Sequence, residues 1–325
     1  MDSCEYASPA TVKEALALLG TKWGQADVLA GGTDLVSCMK DALHEPRRVV
    51  SLRNIAELQG IRPGPGGLRI GAMVTMDELA KSPAVRASYK SLSDAAAGVP
   101  SPQIRHMGTV GGDLCQRPRC WYFRQGFGLL AMKNGRSLVP DGENKYHAIF
   151  ADGPAYFVSP SSLGPALVAL GAKVKLVSAK GPREVPVAEF FLVPKDENDR
   201  EVALQPNEIL TEIIVPAGAF KTSTYEVRQK MALDWPLAAA SVALTMNGAT
   251  VKSAKVVLGH VAPTPYDAAA AADALKGKSI TPETAEAAGK AAVQGAKPLS
   301  QNGYKVQLAS VAVKRALLDA VKAKA

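Results

Sequence analysis

Apolar and polar positions along the chain change period several times, and each change marks an element. Residues 11–19 place Val12, Ala15, Leu16 and Leu19 on one face of a 3.6-residue period, which predicts a helix. Residues 27–30 and 48–52 are short apolar runs and read as buried strands. Between 60 and 68 the cluster Pro63, Gly64, Pro65, Gly66 and Gly67 signals a turn, and 68–72 then alternates as a strand does. Thr75 followed three residues later by Glu78 is a capping-box pattern and opens a short helix at 76–79. The stretch 100–150 mixes Gly, Pro, Arg, Cys and aromatic residues with little periodicity. Regular patterning returns as a helix at 162–171 and a strand at 172–177. A polar surface excursion follows at 194–206, then a strand at 208–216.

After Pro216-Ala217-Gly218 the pattern changes again. Two long apolar runs, 237–246 and 250–261, meet at Asn247-Gly248, the strongest short hairpin signal. Ala-rich helical patterns at 267–275, 282–293 and 306–322 complete an α+β tail. The expected organisation is a domain over 1–218, in subdomains of about 1–55 and 56–218, and a C-terminal α+β domain over 219–325.

Composition narrows the function classes. Of 325 residues, 47% are apolar and 21% charged, which excludes disorder and collagen-like repetition. No apolar run approaches the ~18 residues of a membrane span, so none is expected. Met1-Asp2-Ser3-Cys4-Glu5 lacks a basic region followed by an apolar stretch. The cytoplasm is the default expectation, with export alongside a signal-bearing partner left open. The formal charge is +8, from 38 basic and 30 acidic residues, but these are spread along the chain. The basic tail Lys314, Arg315, Lys322 and Lys324 suits the end of a helix, where cations complement the macrodipole. Aromatic residues, at 6%, give few stacking platforms, and no nucleic-acid partner is expected. Four cysteines do not form a disulfide framework. His44, His106, His147 and His260 are scattered without metal-ligand spacing, so no metal site is expected on this chain.

Two Gly-Gly turns carry the candidate chemistry. Ala30-Gly31-Gly32-Thr33-Asp34-Leu35 follows a predicted strand, and Thr109-Val110-Gly111-Gly112-Asp113-Leu114 lies in the irregular middle. Paired glycines let the main chain approach a bulky group with its N–H groups turned inward, and such nests bind phosphate oxygens. Two such loops could grip one pyrophosphate from both sides. Each alone also reads as an ordinary tight turn. Neither is G-x-G-x-x-G, so a Rossmann nucleotide site is not indicated.

With their surroundings, these segments resemble the FAD-binding (medium) subunits of the xanthine dehydrogenase and carbon monoxide dehydrogenase family of molybdenum hydroxylases. The likeness rests on the 29–35 run, on Ile70-Gly71-Ala72-Met73-Val74-Thr75 and on Ile104 to Leu114, in matching order and spacing. It continues through Glu208-Ile209-Leu210 and the tail, and so covers essentially the whole chain. The resemblance implies a flavin domain of the vanillyl-alcohol-oxidase (PCMH-like) type, two α/β subdomains, followed by an antiparallel sheet with helices. It implies FAD on this chain, with Ala30, Gly31, Gly32, Thr33, Asp34, Leu35, Thr109, Val110, Gly111, Gly112 and Asp113 around the pyrophosphate. Gln116, Ser162, Leu210 and Lys230 are further cofactor candidates, and no catalytic residue is implied.

Three positions depart from the family pattern. Asp113 stands where relatives mostly have Asn, Ser162 where many have an acidic residue, and Glu226 where many have Lys. The segment from Cys115 to Arg124 is similar to bacterial aldehyde oxidoreductase medium subunits, some of which hold an extra [4Fe-4S] cluster. Such a cluster needs about four thiolates. Residues 124–150 contain no cysteine, so it is not expected here. The aromatic run Trp121-Tyr122-Phe123 is expected to shield the flavin or shape access to it. The implied role is electron transfer in a heterotrimer. A small [2Fe-2S] partner would pass electrons to FAD on this chain, a large molybdopterin partner would oxidise substrate, and an external acceptor would receive the electrons. The competing reading is a flavin-free scaffold subunit of the same complex.

Overall fold

A computed structural model describes residues 2–230 and 232–322; Met1, Met231 and 323–325, Lys324 of the basic tail among them, lie outside the described residues. The first unit is a parallel sheet. Strands β1 (Glu5–Ala7) and β2 (Ala26–Leu29) flank β3 (Arg48–Ser51), both parallel to it, with helices α1 (Val12–Leu18) and α2 (Leu35–Lys40) as connections. Thr11 caps α1, its hydroxyl accepting from Glu14 N, and Val12 and Ala15 bury the apolar face.

The second unit is built on an antiparallel sheet in the order β4-β5-β10-β8-β9. Strands β4 (Ile61–Gly64) and β5 (Gly67–Gly71) form a hairpin within the stretch read as a turn. Pro63 is tolerated because β4 is an edge strand. Six short helices follow: α3 (Met76–Lys81), α4 (Pro83–Ser88), α5 (Lys90–Gly98), α6 (Pro102–Met107), α7 (Val110–Cys115) and α8 (Trp121–Arg124). The Thr75–Glu78 capping box is present in both directions. A two-residue hairpin, β6 (Met132–Lys133) and β7 (Arg136–Ser137), leads to α9 (Gly164–Ala169), β8 (Lys173–Ser178), β9 (Gly181–Pro186), α10 (Val187–Phe190) and β10 (Ile209–Pro216). One core runs under this unit through Ile70, Leu79, Leu92, Val110, Leu167 and Ile213. A smaller core, with Ala15, Val50, Ile55 and Ile209, joins it to the first sheet.

The third unit carries strands β11 (Phe220–Val227), β12 (Ala238–Asn247), β13 (Thr250–Gly259) and β14 (Tyr266–Asp267) in antiparallel order. The β12–β13 hairpin turns at Asn247-Gly248, with Gly248 at φ +58°. Helices α11 (Ala269–Leu275), α12 (Pro282–Ala292) and α13 (Tyr304–Val321) cover one face. Alanine lets them approach closely: Ala285, Ala288, Ala309, Ala312 and Ala316 are fully buried. Helix α5 packs on β11, and Ala243 and Val257 join the core of the second unit, so the third is not separately cored on that side. Among the described residues no helix is long and apolar enough to cross a membrane.

Candidate functional site

The first Gly-Gly segment is the turn from β2 into α2. Gly31 lies against the Met107 carbonyl, and a Cβ there would overlap both the carbonyl oxygen and its carbon. Only glycine permits that approach. Gly32 takes φ +76°, in the left-handed region that also favours glycine. The N–H groups of Gly31, Gly32, Thr33, Asp34 and Leu35 meet no acceptor among the described residues. They form a set of unpaired donors facing one space, the arrangement that binds anions.

The second Gly-Gly segment behaves differently. Thr109 caps α7, its hydroxyl accepting from Gly112 N at 3.1 Å. Val110 N donates to Val74 O at 2.8 Å and Gly111 N to Ala72 O at 2.9 Å. These amides anchor α7 to the end of β5 and are not available to a ligand. Gly111 is needed for packing, since a Cβ would lie 2.9 Å from that of Ala72.

Asp113 is buried and turned toward the 161–163 segment. Its carboxylate accepts from Ser161 Oγ at 2.6 Å, Leu163 N at 3.0 Å, Ser162 N at 3.2 Å and Gln116 Nε2 at 3.1 Å. Burial raises its pKa, against the pull of those donors. Ser161 Oγ also accepts from Gly164 N at 2.8 Å, so Asp113 positions the start of α9.

A charged cluster stands beside the first loop. Asp34 accepts from Arg117 N at 2.7 Å and Arg124 Nη2 at 2.8 Å, and pairs with Arg119 Nη1 at 2.9 Å. Burial works against its charge, but Arg119 and Arg124 outweigh it and hold the carboxyl below its ordinary value. Arg117 lies against Glu201 through Nε and donates Nη1 to His44 Nε2 at 3.0 Å, which leaves Nδ1–H of His44 to donate to Asp27 at 3.2 Å. Arg200 stacks on Trp23, 4.1 Å from the ring centroid, and Arg119 on Trp235, at 4.8 Å.

Trp23, Asp27, Asp34, His44, Arg117, Arg119, Arg200 and Trp235 line a cavity of about 470 Å³, with Arg124 and Glu201 behind them. Ala30, Gly31, Gly32, Thr33, Asp34, Leu35, Thr109, Gly112, Asp113 and Gln116 all line it. Val110 and Gly111 sit beneath it, Ser162 is buried, and Leu210 is a core leucine in β10. Lys230 is exposed; its backbone N–H donates to Asp234, which does line the cavity. Glu226 pairs with Arg228.

Sequence reasoning did not single out Trp23, Val99, Pro100, Arg200, Leu233 or Trp235 as parts of the wall. Arg117 and Arg119 were visible directly after the second Gly-Gly segment, as R-x-R, but were read only as neighbours of cysteine. The expectation for 121–123 is corrected. Trp121 and Tyr122 pack with His147, and Trp121 with Tyr146, while Phe123 is buried under the guanidinium of Arg117; none lines the cavity.

The thiols are held apart in separate settings. Cys120 Sγ lies 3.1 Å from His147 Nε2, and Cys38 Sγ 3.0 Å from Arg124 Nη1. Burial pushes the Cys115 thiol up to about 12, raises that of Cys120 and lowers His147 to about 4, so burial favours the protonated thiol at Cys115 and Cys120.

Two family models match the chain. Residues 2–218 match the family described as FAD binding domain in molybdopterin dehydrogenase, and 223–320 the CO dehydrogenase flavoprotein C-terminal domain. The carbon monoxide dehydrogenase medium chain of Hydrogenophaga pseudoflava is 32% identical, over 96% of this chain and 95% of that one. The aldehyde oxidoreductase FAD-binding subunit PaoB of Escherichia coli is 28% identical, over 98% of this chain and 99% of that one. The solved carbon monoxide dehydrogenase of Hydrogenophaga pseudoflava lacking the Mo-pyranopterin moiety superposes with a TM-score of 0.76, at 32% identity, covering 98% of this chain and 97% of that one.

Proposed function

The chain belongs to the family of FAD-binding subunits of molybdopterin dehydrogenases, and from that premise we propose that it is the electron-transfer subunit of a molybdenum hydroxylase complex. In this reading it binds one FAD. It receives electrons from the [2Fe-2S] clusters of a small partner while a large molybdopterin partner oxidises the substrate, and it delivers them to an external acceptor. The observation that carries the reading is the row of unpaired amides from Gly31 to Leu35 opening on a 470 Å³ cavity.

The residues present fit a flavin dinucleotide. Gly31 and Gly32 shape the loop, one by its approach to the Met107 carbonyl and the other by its φ of +76°, and the free amides match phosphate oxygens. Val99, Pro100, Ile104, Leu233 and Trp235 supply an apolar stretch of wall for a flat ring system. When bound, FAD would supply a centre that exchanges single electrons on one side and pairs on the other. The chain's own contribution is binding, orientation and exclusion of water. Asp113 holds the 161–163 segment behind its own place in the wall, and Thr109 fixes α7 through its cap. Asp34 acts at one remove, orienting Arg119, Arg124 and the Arg117 amide. Among the proposed contacts, Ala30 to Leu35, Thr109, Gly112, Asp113 and Gln116 line the cavity and would hold the cofactor; Val110, Gly111, Ser162 and Leu210 are buried and would act by packing. No general acid or base is required of this chain.

The test is an absorbance spectrum of the full chain, purified alone and co-expressed with its partners, followed by acid release of the cofactor. The expected result is the paired visible flavin bands and one FAD per chain. A colourless protein in both preparations overturns the reading in favour of a scaffold subunit.

A further inference from the structure

Arg117, Arg119 and Arg200 line the cavity, and Arg124 stands beside Arg119 on Asp34. Arg119 and Arg124 share one oxygen of Asp34, at 2.9 and 2.8 Å. Arg117 and Arg200 share Glu201, and Arg200 reaches it only at 4.0 Å. The next carboxylate, Asp27, is taken by His44. Glu208 and Asp234 also line the cavity, but Glu208 pairs with Arg183 and Asp234 accepts from the amides of Gln229 and Lys230, while the Asp113 oxygens face 161–163. The Nε atoms of Arg119 and Arg200 are buried with no acceptor among the described residues. An uncompensated buried cation is costly unless an anion meets it.

Arg119 bridges Asp34 on the first loop and Gln116 Oε1, 3.0 Å away just after α7. Its plane is pinned on Trp235 and that of Arg200 on Trp23, which restricts the guanidinium edges to few directions. A fixed guanidinium fork matches two phosphate oxygens. The amides of Val110, Gly111 and Gly112, which would otherwise serve that side, are engaged within the protein.

We propose that Arg119 and Arg200 form the second jaw of a diphosphate clamp, closing on the ligand opposite the free amides of residues 31–35. The clamp joins backbone donors on one side to side-chain cations on the other. This inference rests on the flavin-dinucleotide reading for its ligand, the diphosphate of FAD, and names the groups that hold it.

The test uses the full chain stripped of flavin, titrated separately with FAD, riboflavin and inorganic pyrophosphate. Arg119→Gln and Arg200→Gln are each expected to weaken FAD and pyrophosphate binding by roughly tenfold to a hundredfold. Riboflavin, which lacks the diphosphate, is expected to bind all variants equally. FAD binding by the unmodified chain should fall with salt, and less steeply in the variants. Should either Gln variant fail to fold, the corresponding Lys variant keeps the charge without the fork; it should show a smaller loss for FAD and none for riboflavin. Equal losses for FAD and riboflavin, or no loss for FAD, overturn the clamp. Pyrophosphate binding that depends on both arginines in a chain that takes up no FAD would uphold the clamp and overturn the flavin reading.

Discussion

Gly31 sits against the carbonyl of Met107 so closely that no side-chain carbon fits between them. That contact draws together two segments 76 positions apart, the turn after β2 and the end of α6, and so sets the mouth of the cavity. Gly31→Ala should therefore force the loop off α6. The expected cost is about 1–3 kcal/mol from overpacking, with loss of bound flavin. Gly32→Ala meets only side-chain methyl groups at 3.3 Å but must hold φ +76°. Its cost should be about 1 kcal/mol, with cofactor partly retained. Urea unfolding together with flavin content distinguishes the two.

Asp34 is a hub rather than a free ligand. Asp34→Asn leaves Arg119 and Arg124 without their shared counterion. Loss of one member of such a buried set should cost about 3 kcal/mol. Because the folded-state pKa of Asp34 is lowered, its contribution is present above the ordinary carboxyl range and is lost as pH falls through the lowered value. Unfolding midpoints measured from neutral to acid pH should show the gap between the two proteins closing toward the acid end.

Asp113 gives the opposite slope. Burial raises its pKa, so its contribution is complete below the unfolded carboxyl value and declines as pH rises through the folded one. Asp113→Asn is neutral at every pH and should remove that decline. Its amide oxygen replaces one acceptor but its nitrogen cannot replace the other, so the variant should be less stable at acid pH, and the difference should narrow as pH rises. A difference independent of pH would show that the carboxyl does not titrate in this range.

Lys305 lies buried at the start of α13, donating to the carbonyls of His260 at 2.7 Å, His147 at 3.1 Å and Tyr146 at 3.2 Å. It ties the 144–148 stretch to the third unit, beside the Asn302 side chain, which donates to the carbonyls of His147 and Ala148. Burial pushes its pKa down to about 7. Above that value the unfolded chain holds a proton that the folded chain has released, so stability should rise with pH toward the ordinary lysine value. Lys305→Met should abolish the rise and lower stability by leaving three carbonyls unpaired. Urea midpoints from about pH 6 to pH 10 measure both effects.

What could be read in the chain was local. The Thr75–Glu78 box and the Asn247-Gly248 hairpin each depend on residues a few positions apart, and each forms as expected. The β4 strand was hidden, because Pro63 and the surrounding glycines signal a turn while an edge position tolerates proline. Helix α5 was also missed: its small residues, from Ser91 through Ala95 to Ala97, carry little apolar contrast until β11 packs on them.

The sequence by itself determined the family, the strongly patterned elements and the two Gly-Gly segments, because spacing and glycine placement are properties of neighbouring residues. Tertiary structure alone decided which donors remain free. The two segments look alike in the chain, yet the amides of one face a cavity while those of the other are bound to Val74, Ala72 and Thr109. It also brought Arg200 and Trp23 beside Asp34, across more than a hundred residues, to make one wall. Hydrogen-bond saturation and charge balance are sums over everything that surrounds a group. They exist only once the chain has closed on itself, and no local pattern contains them.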